Sequence, residues 1–232
     1  MTQQDRRNFL KTGLALGAGT VLSSIPGNGF QKESDTGKDL SVFDAIHSRR
    51  SVRSFLPTPI PEEHITKICD AARMAPTSGN QQPWKFLVVR KREKIDKLIE
   101  TCIDANRQAL KKRQNPSEDA IKKFEDRAKA YFAPISAAPV FIVVLVDMQS
   151  KYPTYNRFDG PLAAGYLMLA ARALGYGTVF FTDSIPDTIT KQVFNIPDRY
   201  QRVCITPVGV PTEWPSTPAK KDLDEFMIYD SF

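Results

Sequence analysis

The stretch from Ala138-Pro139-Val140 to Asp147 constrains the fold more than any other part of the chain. It is continuously apolar and β-branched, with no polar residue alternating through Val140-Phe141-Ile142-Val143-Val144-Leu145-Val146. A strand with one wet face alternates; one without alternation is a central strand buried on both sides, so other elements must cover both faces of its sheet. Candidates for that cover are plentiful. Val42, Ala45 and Ile46 mark a short first helix. Pro61-Glu62-Glu63 opens a second, with proline at its start and acids in the first turn, and Ile65, Ile68, Ala71 and Ala72 form its apolar stripe up to Met74. Charged helical patterns run over 91–113 and, past Asn115-Pro116-Ser117, over 118–132. An alanine- and leucine-rich helix spans 160–174 and stops at Gly175 and Gly177. Further strands are predicted at 85–90, 178–182 and 203–210, with a late one at 226–229. The expected class is α+β, a mixed β-sheet flanked by helices in one layered domain over 40–232, with strand order open.

Residues 1–36 differ from the rest. Asp5-Arg6-Arg7-Asn8-Phe9-Leu10-Lys11 precedes a weakly apolar, glycine-dotted run from Thr12 to Ile25 that breaks at Pro26. That run falls short of the ~20 residues needed to cross a bilayer, and positive charge precedes it, as in an export signal. Arg6-Arg7-Asn8-Phe9-Leu10-Lys11 resembles the twin-arginine (Tat) signal, except that Asp5 stands where Ser or Thr is usual. The resemblance implies passage through the Tat translocase, export to the periplasm, and a domain folded around its cofactor beforehand. Ser23-Ser24-Ile25-Pro26 gives no clean cleavage box, so an uncleaved membrane tether stays open as an alternative. The segment 27–38 reads as a linker.

Composition removes several functions. With 2 His and 3 Cys in 232 residues there are too few soft ligands for a zinc ribbon or an iron–sulfur cluster, and no metal site is expected. Cys69, Cys102 and Cys204 lie far apart in apolar settings and read as buried thiols, a single bridge being the other reading. Residues 1–36 hold four bases and three acids, so almost all of the formal charge of +6 belongs to the rest. Lys111-Lys112-Arg113 and Lys122-Lys123 are interleaved with Glu118, Asp119, Glu125 and Asp126 and lack stacking aromatics, which favours a solvated helix face over nucleic acid. His47 reads as a surface histidine and His64 as a structural one.

Two segments are too polar for core and too particular for connectors. Ser48-Arg49-Arg50-Ser51-Val52-Arg53 sets three guanidinium groups and hydroxyls close together, a donor set suited to phosphate, although a solvated basic cluster is also consistent. Pro76-Thr77-Ser78-Gly79-Asn80-Gln81-Gln82-Pro83-Trp84 offers hydroxyls and amides to a planar heterocycle, or else is a turn-rich connector.

In this order and spacing the two segments resemble the signatures of the nitroreductase family of FMN-dependent oxidoreductases, over about 40–232. The resemblance implies an interlocked homodimer with FMN at the interface. Arg49, Arg50, Ser51 and Arg53 would bind the FMN phosphate, ribityl chain and pyrimidine edge. Thr77 and Ser78 would reach the flavin from the partner subunit, and Asn80 would face the ring. Phe180-Phe181-Thr182 would run over flavin N5, with Thr182 as a backbone or hydroxyl donor. Lys220, where the family more often has Arg, would complete the phosphate site, and 226–229 would add to the partner's sheet. No side chain need act as catalytic acid or base, because the chemistry is on FMN. The implied activity is two-electron, ping-pong reduction of a small aromatic substrate, a nitroaromatic or quinone, with NAD(P)H or an unidentified exported donor. Arg49-Arg50-Ser51-Val52-Arg53, Thr182 and the Leu-Asp tail also resemble the iodotyrosine deiodinase branch, which makes reductive dehalogenation the alternative. A non-catalytic exported flavin-binding protein is a third reading. Tyr131, Phe132, Tyr152, Tyr155 and Arg157 fall where the family's variable substrate lid is expected, without individual roles.

Overall fold

The structure, a computed structural model, describes residues 40–114 and 116–231; the export-signal expectation lies outside the described residues. The sheet has the order β1-β2-β4-β3, from β1 (Trp84–Val89), β2 (Val140–Asp147), β3 (Gly177–Thr178) and β4 (Tyr200–Gly209). The uninterrupted apolar run becomes β2, between β1 and β4, with Val140, Phe141, Ile142, Val143 and Val144 essentially inaccessible. All pairings between these strands are antiparallel. The four-stranded sheet is thus antiparallel, and the one parallel pairing among the described residues, Ser51 to Thr178, is an isolated bridge beside it.

Helices cover both faces, as β2 requires. They are α1 (Val42–Ser48), α2 (Glu62–Arg73), α3 (Arg92–Gln114), α4 (Glu118–Ser136), α5 (Asn156–Ala173) and α6 (Asp187–Phe194). One core joins Phe141, Val143 and Leu145 to α3, α4 and α6 through Leu98, Ile135 and Ile189. The other joins Ile142 and Val144 to α2 and α5 through Ile68 and Leu167. Cap chemistry fixes two helix starts: Ser41 accepts from the Asp44 amide at 3.1 Å, and Ser117 from the Ala120 amide at 3.3 Å. Gly160 lets α5 lie against the sheet, since a Cβ there would meet Val146 at 2.9 Å and run into Val203.

Several expected elements change. The strand predicted at 178–182 keeps only β3 and a bridge from Phe181 to Ile205. Between them the Val179 amide turns to the Thr206 hydroxyl, which takes it out of the ladder. The late strand at 226–229 does not form in this chain. A strand exists only through an adjacent backbone edge, and here Phe226, Met227, Ile228 and Tyr229 stand exposed after one 3-10 turn at Leu223–Glu225. Helix α4 continues through Pro134, whose carbonyl accepts from the Phe55 amide at 3.1 Å. Helix α6 is an additional element; it starts after Pro186 and ends at Asn195 in the left-handed region.

All three cysteines are free thiols. Burial pushes Cys69 up to about 11 and Cys102 and Cys204 to about 12, so none is a ready thiolate near neutrality. His64 Nδ1 lies 2.8 Å from the Tyr176 hydroxyl, a structural contact between α2 and the turn after α5.

Candidate functional site

Helix α5 organises both polar segments. Its core-facing stripe is Asn156, Asp159, Gly160, Ala163, Leu167 and Ala171, so a carboxylate and an amide occupy positions that helical periodicity gives to the core. A buried carboxylate needs donors. Asp159 takes one from the Ser78 amide at 3.2 Å and one from Gln81 Nε2 at 2.7 Å. The Gln81 side chain also donates to the Tyr152 carbonyl and Asn156 Oδ1, and accepts from the Tyr152 amide at 2.7 Å. Asn156 Nδ2 then donates to the Asp147 carbonyl at the end of β2.

This network holds the Thr77–Gln82 turn in an unusual shape. Gly79, Asn80 and Gln82 all have positive φ, at 57°, 53° and 47°. A non-glycine residue there costs free energy that surrounding contacts must supply. Thr77 helps, its hydroxyl accepting from the Gln82 amide and its carbonyl from the Asn80 amide. A Cβ on Gly79 would come within 2.5 Å of the Tyr152 ring, which closes over the turn.

The other end of α5 meets the arginine segment. Arg172 Nε donates to Ser48 Oγ at 2.9 Å, and its guanidinium stacks 4.1 Å above the Trp214 ring. Burial first, and then the Arg50 charge, pull Arg172 below its usual value, a sign of cations gathered without a balancing carboxylate. Arg50 is occupied: it donates to the carbonyls of His47 and Arg49 and to the Thr217 hydroxyl, tying the C-terminal arm to α1. Arg49 caps α1 and leaves its guanidinium free of protein partners among the described residues, while Arg53 makes only a long contact, 3.4 Å, to the Ser51 carbonyl. No ion pair among the described residues uses Arg49, Arg50, Arg53 or Lys220.

Ser51 bridges to Thr178, and the Val52 amide donates to the Thr178 carbonyl at 2.9 Å, which sets the arginines beside the 178–182 stretch. There Phe180 and Thr182 are exposed, but Phe181 is 4% exposed and exchanges both backbone hydrogen bonds with Ile205, leaving it no free polar group. Lys220 lies exposed on the arm. Arg49, Ser51 and Arg53 thus follow α1 at the Arg172 end of α5, and Thr77, Ser78 and Asn80 lie at its Asp159 end, while Phe180 and Thr182 are exposed on the stretch that leads from β3 toward Arg202.

Comparison with known proteins decides the family. The nitroreductase family profile matches residues 46–210, most of the chain. The chain belongs to the nitroreductase family. It is therefore a nitroreductase-family oxidoreductase, from a family that works with FMN. It is 32% identical over 194 residues to a protein of Methanothermobacter thermautotrophicus that carries the name NADH dehydrogenase/NAD(P)H nitroreductase, covering 82% of this chain and 87% of that one. It is 30% identical to the 4-nitrobenzoate reductase of Pseudomonas putida, over 74% of this chain and 86% of that one. A solved structure of oxidised iodotyrosine deiodinase bound to FMN and 3-iodo-L-tyrosine shares the fold, with TM-score 0.66 and 23% identity over 83% of this chain and all of that one. Residues 3–23 match the twin-arginine translocation signal profile, which supports export. No described helix is long and apolar enough to cross a membrane.

Sequence reading missed Gln81, Asn156 and Asp159, which hold the second signature, and Arg172 with Trp214, which hold the arm over the first. Asp159 was findable, because an acid on the apolar stripe of an alanine-rich helix must have a buried donor. Gln81 carried no such signal, since its partners lie about 75 residues away in sequence.

Proposed function

We propose that this chain is an exported, FMN-dependent homodimeric reductase that passes two electrons to a nitroaromatic, quinone or related conjugated acceptor. The observation that carries the reading is the placement of the two signatures on α5. Thirteen residues separate Asp159 from Arg172, about 20 Å of helix at 1.5 Å per residue. The arginine end and the Thr77-Ser78 end of one subunit are therefore too far apart to meet easily, and a second copy running antiparallel along α5 would bring one subunit's Thr77 and Ser78 to the other's Arg49 and Arg53. The exposed row Phe158, Leu162 and Tyr166, spaced four apart on α5, supplies an apolar face for that contact.

The residues present fit the cofactor. The guanidinium groups of Arg49 and Arg53 and the ammonium of Lys220 lack carboxylate partners among the described residues and suit a phosphate, Ser51 adds a neutral donor, and positive charge at the pyrimidine edge favours an anionic reduced ring. Asn80, held in the left-handed region, is presented by the rigid turn that Asp159 and Gln81 anchor. Phe180 and Thr182, both exposed, would face the ring from the stretch after β3. FMN, when bound, supplies the two-electron chemistry through N5; the protein positions it, excludes water and tunes its charge.

Purified protein reconstituted with FMN should be yellow and hold one flavin per subunit. It should reduce a nitroaromatic or quinone when given NADH, NADPH or a quinol, and stopped-flow reduction by each donor will identify the one it uses. A colourless protein after reconstitution overturns the reading. Reductive dehalogenation is the second reading, favoured by 27% identity to rat iodotyrosine deiodinase 1 over 80% of this chain. Halide release from halotyrosines under reducing conditions separates the two. A non-catalytic role predicts slow flavin cycling even with an artificial donor. Export predicts a periplasmic protein whose delivery is lost in the Arg6→Lys, Arg7→Lys double variant.

A further inference from the structure

Arg202 lies on β4 beside a β-bulge. Val144 pairs with Cys204 and Leu145 with Arg202, so Val203 is the extra residue. A one-residue insertion sends every side chain beyond it to the other face. Cys204 packs with Ile142 and Val144 on the α5 side, whereas Arg202 is aimed at the opposite side, under α6 and the 182–185 loop.

Its side chain is 6% exposed, so its charge needs acceptors. The loop provides them. One terminal nitrogen donates to the Ile185 carbonyl at 2.6 Å and reaches the Thr190 hydroxyl at 3.3 Å; the other donates to the Thr182 carbonyl at 2.6 Å. Nε faces Asp187 Oδ1 at 3.6 Å, which gives charge balance without a hydrogen bond and leaves both atoms otherwise unpaired among the described residues.

The Thr182 contact has a geometric corollary. No peptide bond among the described residues is cis, and a trans peptide points its C=O and N–H in opposite directions. With the Thr182 carbonyl turned inward to Arg202, the Asp183 N–H faces outward, where Thr182 and Asp183 are both exposed. Nothing among the described residues accepts from either amide.

We propose that Arg202 is a positioning residue that clamps the Thr182 carbonyl so that the Thr182–Asp183 peptide presents a fixed, polarised N–H donor to the flavin edge. It acts through that peptide and touches neither cofactor nor substrate. The proposal rests on the reading that 180–182 lines FMN.

Hydrogen exchange of the cofactor-free protein tests the clamp. In Arg202→Gln, peptides covering 182–190 should exchange about tenfold faster or more while those covering β2 stay unchanged. After reconstitution, the same variant should bind FMN within about threefold of wild type, because the phosphate contacts are untouched, yet its flavin absorption bands should shift as the edge donor is lost. Arg202→Lys, which keeps the charge but not the fork, should fall between the two. If Arg202→Gln does not fold, Arg202→Lys is judged on the same two readouts. Unchanged exchange at 182–190, or a loosened loop with an unshifted spectrum, overturns the proposal. Wild-type protein that takes up no FMN instead sinks the functional reading on which it rests.

Discussion

At the residue scale, neighbouring side chains of one type do different work. Arg50 spends its donors on His47, Arg49 and Thr217, whereas the Arg49 fork has no protein partner among the described residues. Charge-assisted hydrogen bonds to a phosphate are each worth about 1.5–3 kcal/mol, or roughly 10- to 150-fold in affinity. Arg49→Ala should therefore weaken FMN binding by that factor, read by flavin fluorescence titration. Arg50→Ala should cost less affinity and instead raise protease sensitivity in the arm around Thr217. Asp147 makes a pH prediction. The Arg199 fork, and then the Gln149 amide, hold its carboxyl below the usual carboxylate range. A depressed folded-state pKa gives stability that is present above the ordinary carboxylate value, about 3.9, and is lost as pH falls through the folded one. Asp147→Asn should melt below wild type at pH 7, and the difference in Tm should shrink as pH drops under about 4.

At the scale of elements, α5 joins the sheet to the site. Gly160→Ala would push a methyl group into Val203 and Val146 on the sheet, and overpacking of this kind costs about 1–3 kcal/mol. Thermal denaturation should show that loss together with weaker FMN binding, because the shifted N-terminal end of α5 carries Asp159 and with it the Ser78 and Gln81 contacts. Helix α2 was legible in its apolar stripe, α5 in its alanine- and leucine-rich run and strand β2 in its unbroken apolar run, each a local feature of many consecutive residues. The 178–182 stretch was not: Val179, Phe180 and Phe181 look like a strand, but the Thr206 hydroxyl competes for the Val179 amide. The arginine and Thr77–Asn80 segments were legible as donor sets, yet their anchors, Gln81, Asn156 and Arg172, act across long sequence separations that no local pattern records.

At the scale of the whole molecule, two exposed apolar features, the Phe158-Leu162-Tyr166 row on α5 and the Phe226–Tyr229 tail, point to a second copy. A charge placed in such a face should split a dimer while leaving the subunit folded. Leu162→Glu should sediment at half the wild-type mass and keep its far-UV circular dichroism. It should lose at least about tenfold in FMN affinity, since each site would then lack the partner's Thr77 and Ser78. An unchanged mass would remove the dimer from the proposed function.

The sequence by itself determined the layering, because an apolar run without alternation can only be buried on both faces. It also marked which segments are rich in donors, because residue chemistry is local. Tertiary structure decided the strand order, the conversion of the predicted 178–182 strand into a loop, the anchoring of both signatures to opposite ends of α5, and the inward aim of Arg202. Each of those depends on a contact between distant residues or on a single extra residue in β4, and such contacts exist only once the sheet and its helices have closed around a common core.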